Sequence, residues 1–325
     1  MYPHLIDRIF ATADAHTLMR LRCVCAQWRR RAHAALSTHL AVTSHRVYAV
    51  GASDLVPHPA FEPSLRPEPR QLRTVNRGPP RVYSHWFDAL AGLQAVDYLD
   101  QLKHDAPSGF QDPIRPLRCL RLWESTKDAP RLSTISPPAH TVVFFARRAP
   151  NLEPRSDYPM WTPFRKLSGS TRKLVINLSR ETLAPVPSFP YLFPFEFAPL
   201  KEVVINIAIP PSGDLDSKGP WLRLLDLLRI VSSPGTAYTF VNTAALPRDL
   251  IARRIPGTYN WHTWRPATAA AFRTATTFQK AAEVFLAESA PGIRLDVQFL
   301  TTAEYEAKVG AETYRLETME LPWGV

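Results

Sequence analysis

Few residues in this chain have types and spacing suited to chemistry. Cys23-Val24-Cys25, followed by His33 and His39, brings together thiols and imidazoles of the kind that hold zinc. Structural zinc wants C-x-x-C-type spacing and four convergent donors, and on a helix residues two apart face different directions. The two cysteines therefore read as small buried hydrophobes. Ser168-Gly169-Ser170-Thr171-Arg172-Lys173 has the small and basic residues of a phosphate cradle. It lacks the spaced glycines of a phosphate loop and precedes a strand where a helix N-terminus is needed, so it reads as a turn. The ten histidines fall in no H-E-x-x-H, and neither G-x-S-x-G nor G-x-x-x-x-G-K-[ST] occurs. Asn177-Leu178-Ser179 matches a glycosylation acceptor, which has meaning only in a secreted protein. The expectation is a chain that is not an enzyme and carries no cofactor or metal.

Aromatic side chains offer recognition chemistry instead. Tyr259, Trp261, His262, Trp264 and Arg265 follow Arg253-Arg254, a mixture able to stack on bases beside phosphate-binding arginines. A second cluster, Phe189, Tyr191, Phe193, Phe195 and Phe197, is interleaved with proline. Both read first as loop side chains packed over the edge of a sheet. As a recognition surface they suit a protein or peptide better than RNA, and Tyr259, Trp261, Trp264 and Arg265 are the candidate substrate-binding residues.

The elements that would position such residues are bounded by composition. With 45% hydrophobic and 21% charged residues, the 325-residue chain is too apolar for wholesale disorder. Its 32 prolines imply many interrupted elements and argue against a coiled coil or a helical bundle. Three cysteines cannot staple a fold of this size, which suits a reducing compartment. The net charge of +10 favours acidic partners, whether protein, nucleic acid or an anionic surface. Met1 to Phe10 carries His4, Asp7 and Arg8 and is no secretory signal, while the longest uncharged stretch, Thr182 to Phe195, is broken by Pro185, Pro187, Pro190 and Pro194. A soluble protein of the cytoplasm or nucleus, without a membrane partner, is expected.

Three regions follow from the patterning. Residues 1–45 read as short helices: Leu5, Ile6, Ile9 and Phe10 recur at helical spacing after Pro3, Asp14 offers an N-cap, and Leu18, Leu21, Val24, Cys25 and Trp28 form a second stripe. Residues 46–80 read as a proline-rich linker. Residues 81–325 read as an irregular α/β domain. Within it an apolar spacing L-x-x-Φ-x-Φ recurs, best at Leu93-Val96-Tyr98, Leu117-Leu120-Leu122 and Leu200-Val203-Ile205, with poorer copies at Val142-Phe144 and Leu174-Ile176. The fourth positions fall at 96, 120, 142, 174 and 203, steps of 24, 22, 32 and 29 residues that approach leucine-rich-repeat periods. Each copy suits a strand with one buried face. Further on, helices are expected over Trp221–Val231, Ala267–Glu288 and Thr302–Val309, the last capped by Thr302, and strands over Ala237–Val241 and Ile293–Phe299.

The N-terminal block resembles the F-box family, whose outline is L-P-x-E-L-L-x-x-I-F, then L-D-x-x-D-L, then V-C-x-x-W. Pro3, Leu5, Ile6, Ile9, Phe10, Asp14, Leu18, Leu21 and Val24-Cys25-Ala26-Gln27-Trp28 carry the resemblance. Tyr2 stands where the family has leucine, the acidic position is unfilled, and Pro3 to Ile9 is one residue short. The resemblance covers about the first forty residues. It implies a non-catalytic docking module that packs against a Skp-type adaptor of cullin–RING ubiquitin ligases, while the remainder recruits a protein substrate. The adaptor-binding residues it implies are Pro3, Leu5, Ile6, Ile9, Leu18, Leu21, Val24, Cys25 and Trp28. The family's adaptor is acidic, which suits Arg8, Arg20, Arg22 and Arg29 to Arg31 as rim charges. The alternative is a basic nucleic-acid-binding or scaffold protein without a ubiquitin-ligase role.

Overall fold

In the computed structural model the described residues are 3–42, 47–50, 55–57, 93–98, 116–123, 138–146, 167–179, 200–208, 235–243, 277–289 and 296–319. Three helices open the chain: α1 (Pro3–Thr12), α2 (Ala15–Leu21) and α3 (Ala26–Leu36). Short strands β1 (His39–Val42), β2 (Val47–Val50) and β3 (Leu55–Pro57) follow, then β4 (Ala95–Tyr98), β5 (Leu117–Trp123), β6 (Ala139–Ala146), β7 (Lys173–Ser179), β8 (Glu202–Ala208) and β9 (Ala237–Val241). Helix α4 (Phe278–Ser289), strand β10 (Asp296–Leu300) and helices α5 (Thr302–Val309) and α6 (Ala311–Thr318) complete the described elements.

The ten strands form one sheet in the order β10-β9-β8-β7-β6-β5-β4-β1-β2-β3. From β1 through β4 to β10 every neighbouring pair is parallel and in chain order; β2 and β3 add an antiparallel end. The class is α/β with a mostly parallel sheet. Unlike a doubly wound sheet, it has no reversal of strand order among β4 to β10. Register follows the apolar spacing closely. Val96 pairs with Leu120, Leu120 with Val142, Val142 with Leu174 and Leu174 with Val203, so the five fourth positions form one row. The row extends to Leu40 on one side and to Tyr238 and Val297 on the other.

The expectation of a single buried face is corrected. Side chains on the opposite face, among them Ala95, Cys119, Val143, Phe145, Val175, Val204 and Val241, are buried as thoroughly as those of the row. The cause is the C-terminal helix pair. Tyr305 of α5 is wholly buried against this second face, and Val309, Tyr314 and Leu316 pack beside it. At the β9–β10 end of the first face, Phe278 of α4 packs with Phe240 and Phe299 at centroid separations of 5.6 and 6.3 Å. Strands buried on both sides read as near-continuous apolar runs, as Val142 to Phe145 do.

Several boundaries also shift. Strands β2 and β3 lie within the span read as a proline-rich linker, and β1 within the span read as a helical module; the sheet begins at His39. Pro57 fits there because β3 is an edge strand, where a missing N–H breaks no ladder on its outer side. The other residues of 46–80, apart from Val47–Val50 and Leu55–Pro57, lie outside the described residues, as do Trp221–Val231 and 267–276. Helix α5 is capped by Thr301, not Thr302: Thr301 Oγ1 accepts from Glu304 N at 3.2 Å, and Glu304 Oε2 accepts from Thr301 N at 2.7 Å, a complete capping box. No helix among the described residues is long and apolar enough to cross a membrane.

Candidate docking surface

The N-terminal helices are fixed by two polar caps and a small apolar core. Asp14 caps α2, its carboxylate accepting from Thr17 N at 2.6 Å, which holds that carboxyl below its ordinary range. Cys25 caps α3, its Sγ accepting from Trp28 N at 3.5 Å. Ala15, Leu18, Ala32 and Leu36 are buried together with Ala49 of β2 and Val56 of β3. The helices therefore rest on the antiparallel end of the sheet. Phe10 meets Trp28 edge-to-face at 5.5 Å, and Arg31 pairs with Asp7 at 2.5 Å, tying α1 to α3.

This packing sorts the residues implicated in adaptor binding. Leu18, only 6% exposed, is a core residue and is removed from the docking set: its side of α2 faces Ala32, Leu36 and the β2–β3 hairpin. Ile6, Leu21 and Trp28 are half-buried, and Pro3 opens α1. Leu5 (48% exposed), Ile9 (44%) and Val24 (62%) lie open, as does Cys25. Among the described residues these three make up all but one of the exposed large hydrophobics; the other is Met319. Leu5 and Ile9 are one helical turn apart on α1 and share a face. Arg8, Arg20, Arg29 and Arg30 are exposed on the same three helices. The reading of Cys23 and Cys25 as buried hydrophobes is corrected, since both thiols are exposed; Cys119 is the buried one, and burial pushes its pKa up to about 12.

No family model, curated protein or solved structure matches the chain.

The sheet carries a second arrangement that sequence reasoning missed. Asp97 of β4 and Arg121 of β5 are register partners, both buried, with Arg121 Nη1 donating to Asp97 Oδ2 at 3.3 Å. His39 Nε2 lies 2.5 Å from the same carboxylate oxygen. Arg121 also donates to the Met319 carbonyl and sits 4.8 Å above the Phe145 ring. Further along, Glu317 of α6 accepts from Lys173 Nζ at 2.7 Å and from Tyr305 Oη at 2.5 Å, while its carbonyl accepts from Asn177 Nδ2 at 2.7 Å. Burial, then the neighbouring Glu317 charge, raises the Tyr305 phenol well above its ordinary pKa, so it remains a donor. Lys308 of α5 reaches Glu202, Thr239 and Gln298 on β8, β9 and β10. The helix pair is thus strapped across the sheet by charge and hydrogen bonds as well as by Tyr305.

Between the α1–α2 corner and the end of α6 lies a cavity of about 610 Å³, lined by Phe10, Leu18, His39, Arg121, Arg315 and Met319 among others. The signal for the buried ion pair was present in the sequence: Asp97 and Arg121 are the residues between the last two apolar positions of adjacent L-x-x-Φ-x-Φ copies. Tyr259, Trp261, Trp264 and Arg265 lie outside the described residues, as does the Phe189–Phe197 cluster.

Proposed function

We propose that the chain is a non-catalytic, F-box-like substrate receptor. Its N-terminal helices dock a Skp-type adaptor of a cullin–RING ligase, and its sheet domain, an irregular leucine-rich-repeat-like array, recruits a protein for ubiquitination. The observation that carries the reading is that Leu5, Ile9 and Val24 are exposed, on helices that also expose Arg8, Arg20, Arg29 and Arg30, in a unit whose own core is already closed by Leu18, Ala32 and Leu36. Apolar residues that a helical unit has no internal use for, accompanied by exposed arginines, suit an interface with an acidic partner. The repeat-like reading of the sheet is supported by the common row that positions 96, 120, 142, 174 and 203 form.

The test is a pull-down of a Skp-type adaptor with intact chain and a Leu5→Glu/Ile9→Glu variant. Both positions are exposed, so the variant is expected to keep its circular-dichroism spectrum and to lose at least about tenfold in adaptor recovery, as apolar anchors at an interface do. Equal recovery by the folded variant would exclude docking through α1.

A further inference from the structure

Four adjacent strands carry a basic row along one rim of the sheet. Register sets Arg118 beside His140, His140 beside Arg172 and Arg172 beside Lys201, at the N-terminal ends of β5, β6, β7 and β8. Backbone pairing continues into the rim, with Arg172 N donating to His140 O at 2.9 Å and Lys201 N to Arg172 O at 2.7 Å. All four side chains are exposed. Neighbouring rungs are roughly 4.8 Å apart, so the row is about 14 Å long. Arg172 and Lys201 are like charges on adjacent rungs, an arrangement that destabilises a sheet.

One member of the row already holds an occupant. Arg118 Nη1 donates to Glu312 Oε1 at 2.7 Å, and its Nη2 donates to Thr313 Oγ1 at 3.1 Å. Arg172 donates to the Gly169 carbonyl, and among the described residues neither Arg172 nor Lys201 meets a carboxylate. We propose that this rim is a docking row for an acidic segment of a partner protein, whose carboxylates take at Arg172 and Lys201 the place that Glu312 takes at Arg118. An extended segment of four or five residues spans the row. Single-stranded nucleic acid fits less well, because its binding grooves pair cations with exposed aromatic platforms, and no aromatic is among the exposed large apolar residues described here. The proposal rests on the sheet being the protein-recruiting part of the chain and is independent of adaptor docking.

Fluorescence anisotropy of the full chain tests it at physiological ionic strength, with three labelled probes: a peptide of alternating glutamate and serine, the same peptide with glutamine for glutamate, and a single-stranded RNA. The glutamate peptide is expected to bind and the glutamine peptide not to. Arg172→Glu and Lys201→Glu are each expected to weaken binding about fivefold, with Arg172→Gln intermediate, while Lys280→Glu, at an exposed position of α4, changes it less than about twofold. Equal weakening by Lys280→Glu, equal binding of the two peptides, or tighter binding of the RNA would each overturn the proposal. Adaptor recovery on the rim variants is expected to match that of the intact chain. Loss of adaptor docking in Leu5→Glu/Ile9→Glu with peptide binding retained would separate the two surfaces, whereas adaptor docking that survives that variant would exclude α1 as the docking surface and leave the rim proposal standing.

Discussion

Asp97 and Arg121 occupy equivalent positions on neighbouring strands and are each almost fully removed from water. A buried ion pair contributes little net stability, because desolvation of both charges offsets most of their attraction; breaking it by removing one partner is another matter. Asp97→Ala removes the carboxylate oxygen that Arg121 Nη1 and His39 Nε2 share. The expected loss is about 3–5 kcal/mol in urea unfolding, with most of it recovered in the double variant Asp97→Ala/Arg121→Leu. The pair was legible in the sequence to anyone aligning the L-x-x-Φ-x-Φ copies, since it puts opposite charges at the same offset. Leu18 shows the reverse. Its helical stripe is the same whether the covering surface is another protein or the chain's own β2–β3 hairpin, so periodicity identifies a face that is covered without saying by what.

At the scale of elements, the strands from β4 to β9 were legible and the three at the antiparallel end were not. β5 to β8 are seven or eight residues long, and a one-residue slip would turn every apolar side chain to the other face, so pattern and register agree. β1, β2 and β3 have four, four and three residues, too few for alternation to show, and Pro57 disguised the last as a connection. The expected span of α5, Thr302–Val309, matches the helix, while the expected cap, Thr302, stands one residue after the true one, Thr301. The capping box gives a prediction at this scale. Thr301→Ala removes the bonds of the Thr301 hydroxyl, which accepts from Glu304 N and donates to Glu304 Oε2, while the Thr301 backbone N–H still donates to Glu304; it is expected to lower the thermal midpoint by about 2–4 °C. The Thr301 backbone N–H first, and its hydroxyl second, hold the Glu304 carboxyl below its ordinary pKa, and the variant loses only the hydroxyl's share. A depressed carboxylate contributes stability above the unfolded pKa that is lost as pH falls through the folded one. The difference between intact chain and Thr301→Ala is therefore expected to shrink on acidification below the ordinary carboxylate range.

For the whole molecule, the decisive feature is the strap of α5 and α6 across the second face of the sheet. Cys119 lies beneath it, in the cluster that Tyr305 closes, while Cys23 and Cys25 stand in the open. Iodoacetamide is expected to modify Cys23 and Cys25 rapidly and Cys119 slowly, because the reactive species is the thiolate and burial keeps Cys119 protonated. Tyr305→Ala removes the one wholly buried side chain of the strap and is expected to raise the Cys119 rate severalfold, read by mass spectrometry of the alkylated chain. An unchanged rate would mean that other contacts keep the strap closed.

The strap has a consequence for biosynthesis. Lys173 and Asn177 leave the ribosome long before Glu317, the residue that satisfies them both, and Arg121 long before the Met319 carbonyl. Until those last helices emerge, a nascent chain holds a parallel sheet with one greasy, charged flank uncovered. A message cut short before codon 301 would leave that flank permanently bare, a species that chaperones would retain and proteases would clear.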